Sequence, residues 1–210
     1  MLSPRLNSLR SHYNSHESVW DIGCDHGKLG LSFLHEREVK SIHLVDPSPH
    51  VIKTLKYFID SYITEGSFKL IIHEKNGQNV IPGPERKLIL IAGMGGKEIN
   101  SIISHLHSYL SQDDDLVISP HRDILPLRNT LHESPFFLGK ESLVFDEGRF
   151  YQVISLKIKG TEKVHPFGDE IFTGDLGERY RLHQIETFTA HQDERSREYV
   201  KYLKGLTQCF

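Results

Sequence analysis

Val19-Trp20-Asp21-Ile22-Gly23-Cys24-Asp25-His26-Gly27-Lys28-Leu29-Gly30 reads as a short apolar strand, a tight turn and the first turn of a helix. Asp21 stands near the strand end, Gly23 and Gly27 sit in the turn, and Asp25 lies between them. A dinucleotide-binding turn needs Gly-x-Gly so that a pyrophosphate can approach the backbone at a helix N-terminus. Asp25 occupies the second glycine position of such a turn, and its charge repels a pyrophosphate. The Asp-x-Gly-x-Asp-x-Gly spacing suits a ligand with a cationic or hydroxyl-bearing centre instead.

Outward from this turn the chain alternates strand and helix. Ser3 caps a short helix with Pro4 at its first position. A strand over 18–23 leads into a helix from Lys28 to Arg37, and Ser41–Asp46 is the second strand. Ser48 and Pro49 open a helix whose apolar stripe is Val51, Leu55, Phe58, Ile59 and Tyr62. Phe68–His73 is a third strand, and the apolar run Lys87–Ala92 has the character of a central parallel strand buried on both faces. A helix over 97–110, a strand over 115–119 and a helix around 122–132 follow. The rhythm then changes to a hairpin, Phe136–Phe145 and Phe150–Ile158, around Asp146-Glu147-Gly148-Arg149. Five β-α units and a hairpin predict an α/β fold, a Rossmann-like seven-stranded sheet with an antiparallel edge strand. That domain fills residues 1–160. A linker with Pro166 and Gly168, then one or two helices over 175–206, form a short C-terminal helical extension over 161–210. Whether the extension folds back or projects stays open at this level.

Composition bounds the function classes. The 210 residues are 38% hydrophobic and 25% charged, the profile of an ordinary globular chain. No apolar run approaches a membrane span and no signal-peptide core is evident, so no membrane partner is expected. Cys24 and Cys209 lie far apart, which disfavours a disulfide and favours the cytoplasm. Net charge is −3, and the last fifty residues carry seven Lys and Arg against nine Asp and Glu. Nucleic-acid binding must therefore come from a local patch. The 14 histidines are scattered, as surface residues would be.

Several residues are placed to carry chemistry. Asp46 ends the second strand about twenty residues after the glycine turn, where a doubly wound sheet meets ribose hydroxyls; a turn acid before Pro47 is the alternative. S-adenosylmethionine has a sulfonium, an ammonium and a ribose, and so matches a site with Asp21, Asp25 and Asp46. Asn76-Gly77 follows the third strand, at an adenine edge or as a plain left-handed turn. Ala92-Gly93-Met94-Gly95-Gly96 closes the fourth strand with glycines that let backbone approach a ligand, and Met94 offers an apolar surface. The Asn/Asp-Pro-Pro-Tyr/Phe motif of many nucleic-acid amino-methyltransferases is missing there. Ser119-Pro120-His121-Arg122 ends the fifth strand on the same edge, with His121 and His26 as candidate contacts. His12 and His16 have helical i, i+4 spacing but no further ligands beside them, so no metal is expected. No Ser-His-Asp arrangement compels a hydrolase reading.

Taken together, Leu2-Ser-Pro-Arg-Leu6, Asp21-Ile-Gly-Cys-Asp-His26, Asn76-Gly77 and Ile91-Ala-Gly-Met-Gly-Gly96 resemble the bacterial tRNA (adenine(22)-N(1))-methyltransferases of the TrmK type. The Pro120 turn with Leu127-Arg128, the Phe145–Tyr151 hairpin and Phe167-Gly168 extend the resemblance to about residues 2–170. It implies a class I methyltransferase that moves a methyl from S-adenosylmethionine to N1 of an adenine in the tRNA D-arm region. Asp21, Gly23, Asp25, His26 and Gly27 would then line the cofactor site with Ala92 and Gly93. Asp46 would serve the ribose, Asn76, Gly77 and Met94 the adenine, and Arg5 the cofactor carboxylate or the RNA. Asp25, Met94 and His121 are the residues nearest the chemistry on this reading. Three features depart from the family: Ser119-Pro120-His121 stands for Gln-Pro-Asn, Cys24 for a small polar residue, and the extension is shorter and not basic.

Adenine N1 is unprotonated at neutral pH and is itself the nucleophile. Positioning then supplies most of the catalysis, and no single side chain need act as a general base. A methyltransferase for another RNA or a small molecule, and a non-catalytic relative that binds cofactor or RNA, are the rival readings. A nicotinamide oxidoreductase is disfavoured by Asp25.

Overall fold

The computed structural model describes residues 1–62 and 69–206. The expectations placed on Phe68, on Cys209 and on the side chain of Tyr62 lie outside the described residues. The chain opens with helix α1 (Pro4–Arg10), whose first turn is capped by the Ser3 hydroxyl accepting from the Leu6 amide. Then come β1 (Ser18–Ile22), α2 (Lys28–Leu31), β2 (Ser41–Asp46), α3 (Pro49–Tyr62), β3 (Lys69–Glu74), β4 (Lys87–Ala92) and α4 (Gly96–Leu106). The remainder is β5 (Asp115–Ser119), α5 (Ile124–Glu133), β6 (Phe137–Asp146), β7 (Arg149–Lys157), α6 (Gly174–Thr189) and α7 (Glu194–Gly205).

The seven strands form one sheet in the order β3-β2-β1-β4-β5-β7-β6. All pairs are parallel until β7, which runs antiparallel to β5 and to β6. Side-chain alternation divides the core into two layers. Ile89 and Ile91 of β4 pack with Trp20, Ile22 and the buried isoleucines of α4 on one face. Leu88 and Leu90 pack with Val19, Leu29, Phe33 and Leu55 on the other. The β6–β7 hairpin turns at Glu147 and Gly148, both at positive φ (47° and 77°), as a two-residue turn of right-handed twist requires.

Two local expectations are corrected, at α2 and at Asn76-Gly77. α2 ends at Leu31 and not at Arg37, with 3₁₀-like turns carrying the chain on; Ser32 and Phe33 amides bond back to Leu29 and Gly30. His12 and His16 lie beyond α1, which stops at Arg10, in a Ser- and Asn-containing stretch that did not need to be helical. Asn76-Gly77 is not a left-handed turn: Asn76 is extended and Gly77 opens a single 3₁₀ turn. Most of the histidines are at least partly exposed, as expected, and His16 and His43 are buried. His16 is fully buried and pairs with Asp115 at 3.0 Å, and His43 stacks on Trp20 with centroids 3.6 Å apart. Burial and then neighbouring His73 push the His43 imidazole down to about 3, so it stays neutral.

The C-terminal extension is a helical hairpin that folds back. Tyr180, Tyr199 and Leu203 bury against Leu125, Ile171 and Phe172, with Leu143 and Phe150 of the β6–β7 hairpin beside them. A polar chain runs through this junction. Arg128 donates to the His165 carbonyl and to Gln152 (2.8 Å each), and Gln152 donates to the Tyr180 hydroxyl at 2.9 Å. Arg128 Nη2 also lies 2.8 Å from Glu141 Oε2, both side chains being at most 1% exposed, although the contact is bent away from a straight hydrogen bond. Arg128→Met should therefore destabilise the protein by roughly 3–5 kcal/mol, because the Glu141 charge is left buried alone. Arg128→Met with Glu141→Leu should recover most of that loss, read as the midpoint of urea unfolding.

Candidate active site at the switch point

The strand order reverses between β1 and β4, so the crossovers leaving them run to opposite faces and open a crevice at their carboxyl ends. Ile22 and Ile91 are paired there, and the chains part at Gly23 and Gly93, with φ of 73° and 79°. Around a Cβ placed on Gly93, among the described residues only Arg5 Nη2 comes within 4 Å, at 3.8 Å, so this turn is open to a ligand. At Gly23 the space is taken: a Cβ would meet the Met94 methyl at 2.0 Å. Met94 thus fills the place of the missing side chain and packs against the core as well.

A cavity of about 380 Å³ occupies the crevice. Arg5, Asp21, Gly23, Asp25, His26, Ala92 and Gly93, all site candidates from the sequence, line it together with Cys24 of the same turn and with Leu6, Lys28 and Leu29, which had no site role there. The remaining candidates are not among its lining residues. Gly27 opens α2 in a left-handed conformation, with Leu55 where its side chain would be. Gly77 is buried against Ile22 and Ile102, a packing position, and Asn76 beside it is exposed. Asp46 supports the turn: its Oδ1 accepts from the Ser48 amide at 2.9 Å and its Oδ2 from the Asp25 amide at 3.3 Å. Those bonds fulfil the turn-acid role and hold Asp25 at the positive φ of 48°.

The acids differ sharply in environment. Asp25 is well exposed, and its carboxylate lies 3.7 Å from the His26 ring. Asp21 is 4% exposed and accepts the Gly30 amide at 2.8 Å. Burial, reinforced by the charges of Asp46 and Asp25 against the help of that amide, raises its carboxyl to about 7. The Cys24 thiol is pushed far upward by burial and the same acids, so it remains protonated.

A second cavity of about 420 Å³ adjoins the first, sharing Arg5 and Leu6 with it. Its other walls are Ser3, His121, Asp146, Glu147, Arg149 and Tyr151. His121 therefore sits beside the first cavity and not in it. It is fixed through two contacts, donating its amide to the Met94 carbonyl at 2.9 Å and accepting at Nε2 from Arg149 at 3.0 Å. The hairpin residues had no site role in the sequence reading; a charged tip followed by an aromatic was the available signal.

Asp21 gives the site a pH signature. In the unfolded chain its carboxyl ionises near 3.8, and in the fold near 7. Between these values the native state keeps a proton that the unfolded state has released, so stability contributed by this group falls as pH rises through that window. Asp21→Asn retains an acceptor for the Gly30 amide without the charge. Its stability relative to wild type should rise by roughly 2 kcal/mol between about pH 5 and pH 8, as measured by thermal unfolding.

Residues 2–154 match the model of a family described as a methyltransferase domain. A tRNA (adenine(22)-N(1))-methyltransferase of Bacillus subtilis is 24% identical over 158 residues, 73% of this chain and 63% of that protein. The crystal structure of the B. subtilis m1A22 tRNA methyltransferase TrmK overlays with a TM-score of 0.74 at 19% identity, covering 97% of this chain and 94% of that one. M. capricolum TrmK in complex with S-adenosyl-homocysteine gives 0.74 at 18% identity, covering 97% and 93%. The family match takes in both wings of the sheet and the whole crevice between them, and the chain belongs to the methyltransferase domain family.

Proposed function

We propose that this protein is an S-adenosylmethionine-dependent methyltransferase that modifies N1 of an adenine in tRNA, at position 22 by similarity to the B. subtilis enzyme. The observation that carries the cofactor is the crevice itself. Its turn places Asp25 where a pyrophosphate binder has glycine, and Asp21 and Asp46 stand close by. A cationic ligand with a ribose suits that donor set, and the open Gly93 turn leaves backbone free to meet it. No helix among the described residues is long and apolar enough to cross a membrane. No three His, Cys, Asp or Glu among them come together to hold a metal. A tRNA substrate favours a cytoplasmic location for the protein.

A cofactor held in this crevice would supply an electrophilic methyl on its sulfonium, for which the unprotonated N1 lone pair is the acceptor. The protein's own residues then have three tasks. Asp25, Asp21 and Asp46 hold the ligand's cationic and hydroxyl groups. Met94, wedged on Gly23 and tied through its carbonyl to the His121 amide, fixes the wall beside the reacting centre. Asp25 also faces the positive charge that the product adenine acquires, an electrostatic contribution made as that charge develops. No proton needs to be removed, so the lack of a base–nucleophile dyad in the crevice is consistent with the chemistry.

Three measurements test this reading. Tritiated S-adenosylmethionine and tRNA lacking N1-methyladenine should yield label in N1-methyladenosine; label in another nucleoside, or none, overturns it. Asp25→Asn, which keeps a residue that tolerates positive φ, should weaken cofactor binding about tenfold. Binding should also release a proton near pH 6.5, because a cation beside Asp21 lowers its carboxyl from about 7. Calorimetry in buffers of different ionisation enthalpy reads that proton, and Asp21→Asn should abolish its release.

A further inference from the structure

The second cavity has a chemistry of its own. Arg5 stands in the wall that it shares with the cofactor crevice, and its guanidinium lies 4.6 Å above the Tyr151 ring. The Arg5 amide donates to Asp146 Oδ2 at 3.2 Å, which ties α1 to the hairpin tip. Tyr151 is met edge-on by His121, with centroids 6.1 Å apart at 75°. His121 in turn is held by Arg149 at 3.0 Å. Asp146 keeps its Oδ1 free, and Glu147 beside it makes no hydrogen bond among the described residues. A flat cationic plate backed by an aromatic ring, with an unspent carboxylate at its edge, is a surface for a planar ring that carries an amino group. Bases taken out of a stack are held in this manner, on aromatic rings or guanidinium planes and by hydrogen bonds at their edges.

Resting on the reading of the protein as an adenine-N1 methyltransferase, we infer that this second cavity is the acceptor-base subsite. The Arg5–Tyr151 pair is the stacking platform, and Asp146 accepts from the exocyclic amino group of the adenine. The placement explains how the chain dispenses with Asn-Pro-Pro-Tyr after β4: the aromatic comes from β7, on the far side of the same edge. It also puts N1, the ring atom adjacent to the amino-bearing carbon, on the side where the two cavities meet at Arg5. A carboxylate at that edge selects adenine over guanine, because guanine presents a carbonyl where adenine presents the amine. Tyr151 and Asp146 are thus positioning and specificity residues, and the loss of either acts on the base and leaves the cofactor alone.

The test uses the full-length protein and a tRNA carrying either adenosine or nebularine, which lacks the amino group but keeps an unprotonated N1, at the target position. Wild type should methylate the adenosine form about 30-fold faster under single-turnover conditions. Asp146→Ala should lower the adenosine rate and bring the ratio to about 3-fold or less. Tyr151→Leu should lower the rate about 100-fold on both, while Tyr151→Phe retains it within about 3-fold. Every variant should bind S-adenosylmethionine like wild type, which shows that the fold and the crevice are intact. A ratio unchanged by Asp146→Ala, with both rates falling together, gives Asp146 only a structural role and overturns the inference. So does full activity in Tyr151→Leu. Failure of wild type to methylate either tRNA while it binds cofactor removes the parent reading, and the subsite with it.

Discussion

Parallel strands β1 and β4 part at the centre of the sheet, and everything functional hangs on how that gap is held open. Both strands leave it through a glycine at positive φ, and across the gap the Met94 methyl rests where a Gly23 side chain would be. A side chain at position 23 would have to displace Met94 and accept a left-handed backbone at once. The Met94 loop is itself laced to β5, through Gly93 to the Ser119 carbonyl and His121 to the Met94 carbonyl. One contact between the two central turns therefore fixes the floor of the crevice, and the β5 loop that bounds the second cavity moves with it.

Electrostatics then sort the two cavities. The crevice gathers acids at different depths, from exposed Asp25 to buried Asp21, whose carboxyl is raised to about 7 by the cost of desolvation. Such an arrangement is costly without a cation and relieved by one. Its neighbour brings arginines to an aromatic and an imidazole, with acids only at the hairpin tip. Arg5 belongs to both, so the short N-terminal helix, fastened by its backbone to Asp146, forms the partition between the two cavities.

Much of this was legible in the sequence, because its signals were local. Glycines and acids at fixed spacing after an apolar run specify a turn, and Lys87–Ala92 could only be a strand buried on both sides. The β-hairpin and the linker followed from turn residues in the same way, whereas the C-terminal segment read only as one or two helices, which the fold resolves as α6 and α7. Signals that depend on distant residues were not readable. Nothing in the neighbourhood of Arg128 announces that it will be buried against Glu141, nor does the His16 stretch show its pairing with Asp115. Gly77 looked like a ligand turn, and only the fold reveals Ile22 and Ile102 pressing on it. Tyr151 and Asp146 reach the site through a hairpin register set by β7 pairing with β5, a contact no local pattern encodes.

The central claim is that the crevice and its neighbour bring a methyl donor to the Watson–Crick edge of one tRNA adenine. A methyl on N1 blocks base pairing, so primer extension across tRNA treated with the protein and S-adenosylmethionine reads it directly. The account predicts a new arrest at a single site, one nucleotide 3′ of adenine 22, present only when both protein and cofactor are added. Methyl incorporation without any arrest would place the group away from the pairing edge and contradict the account.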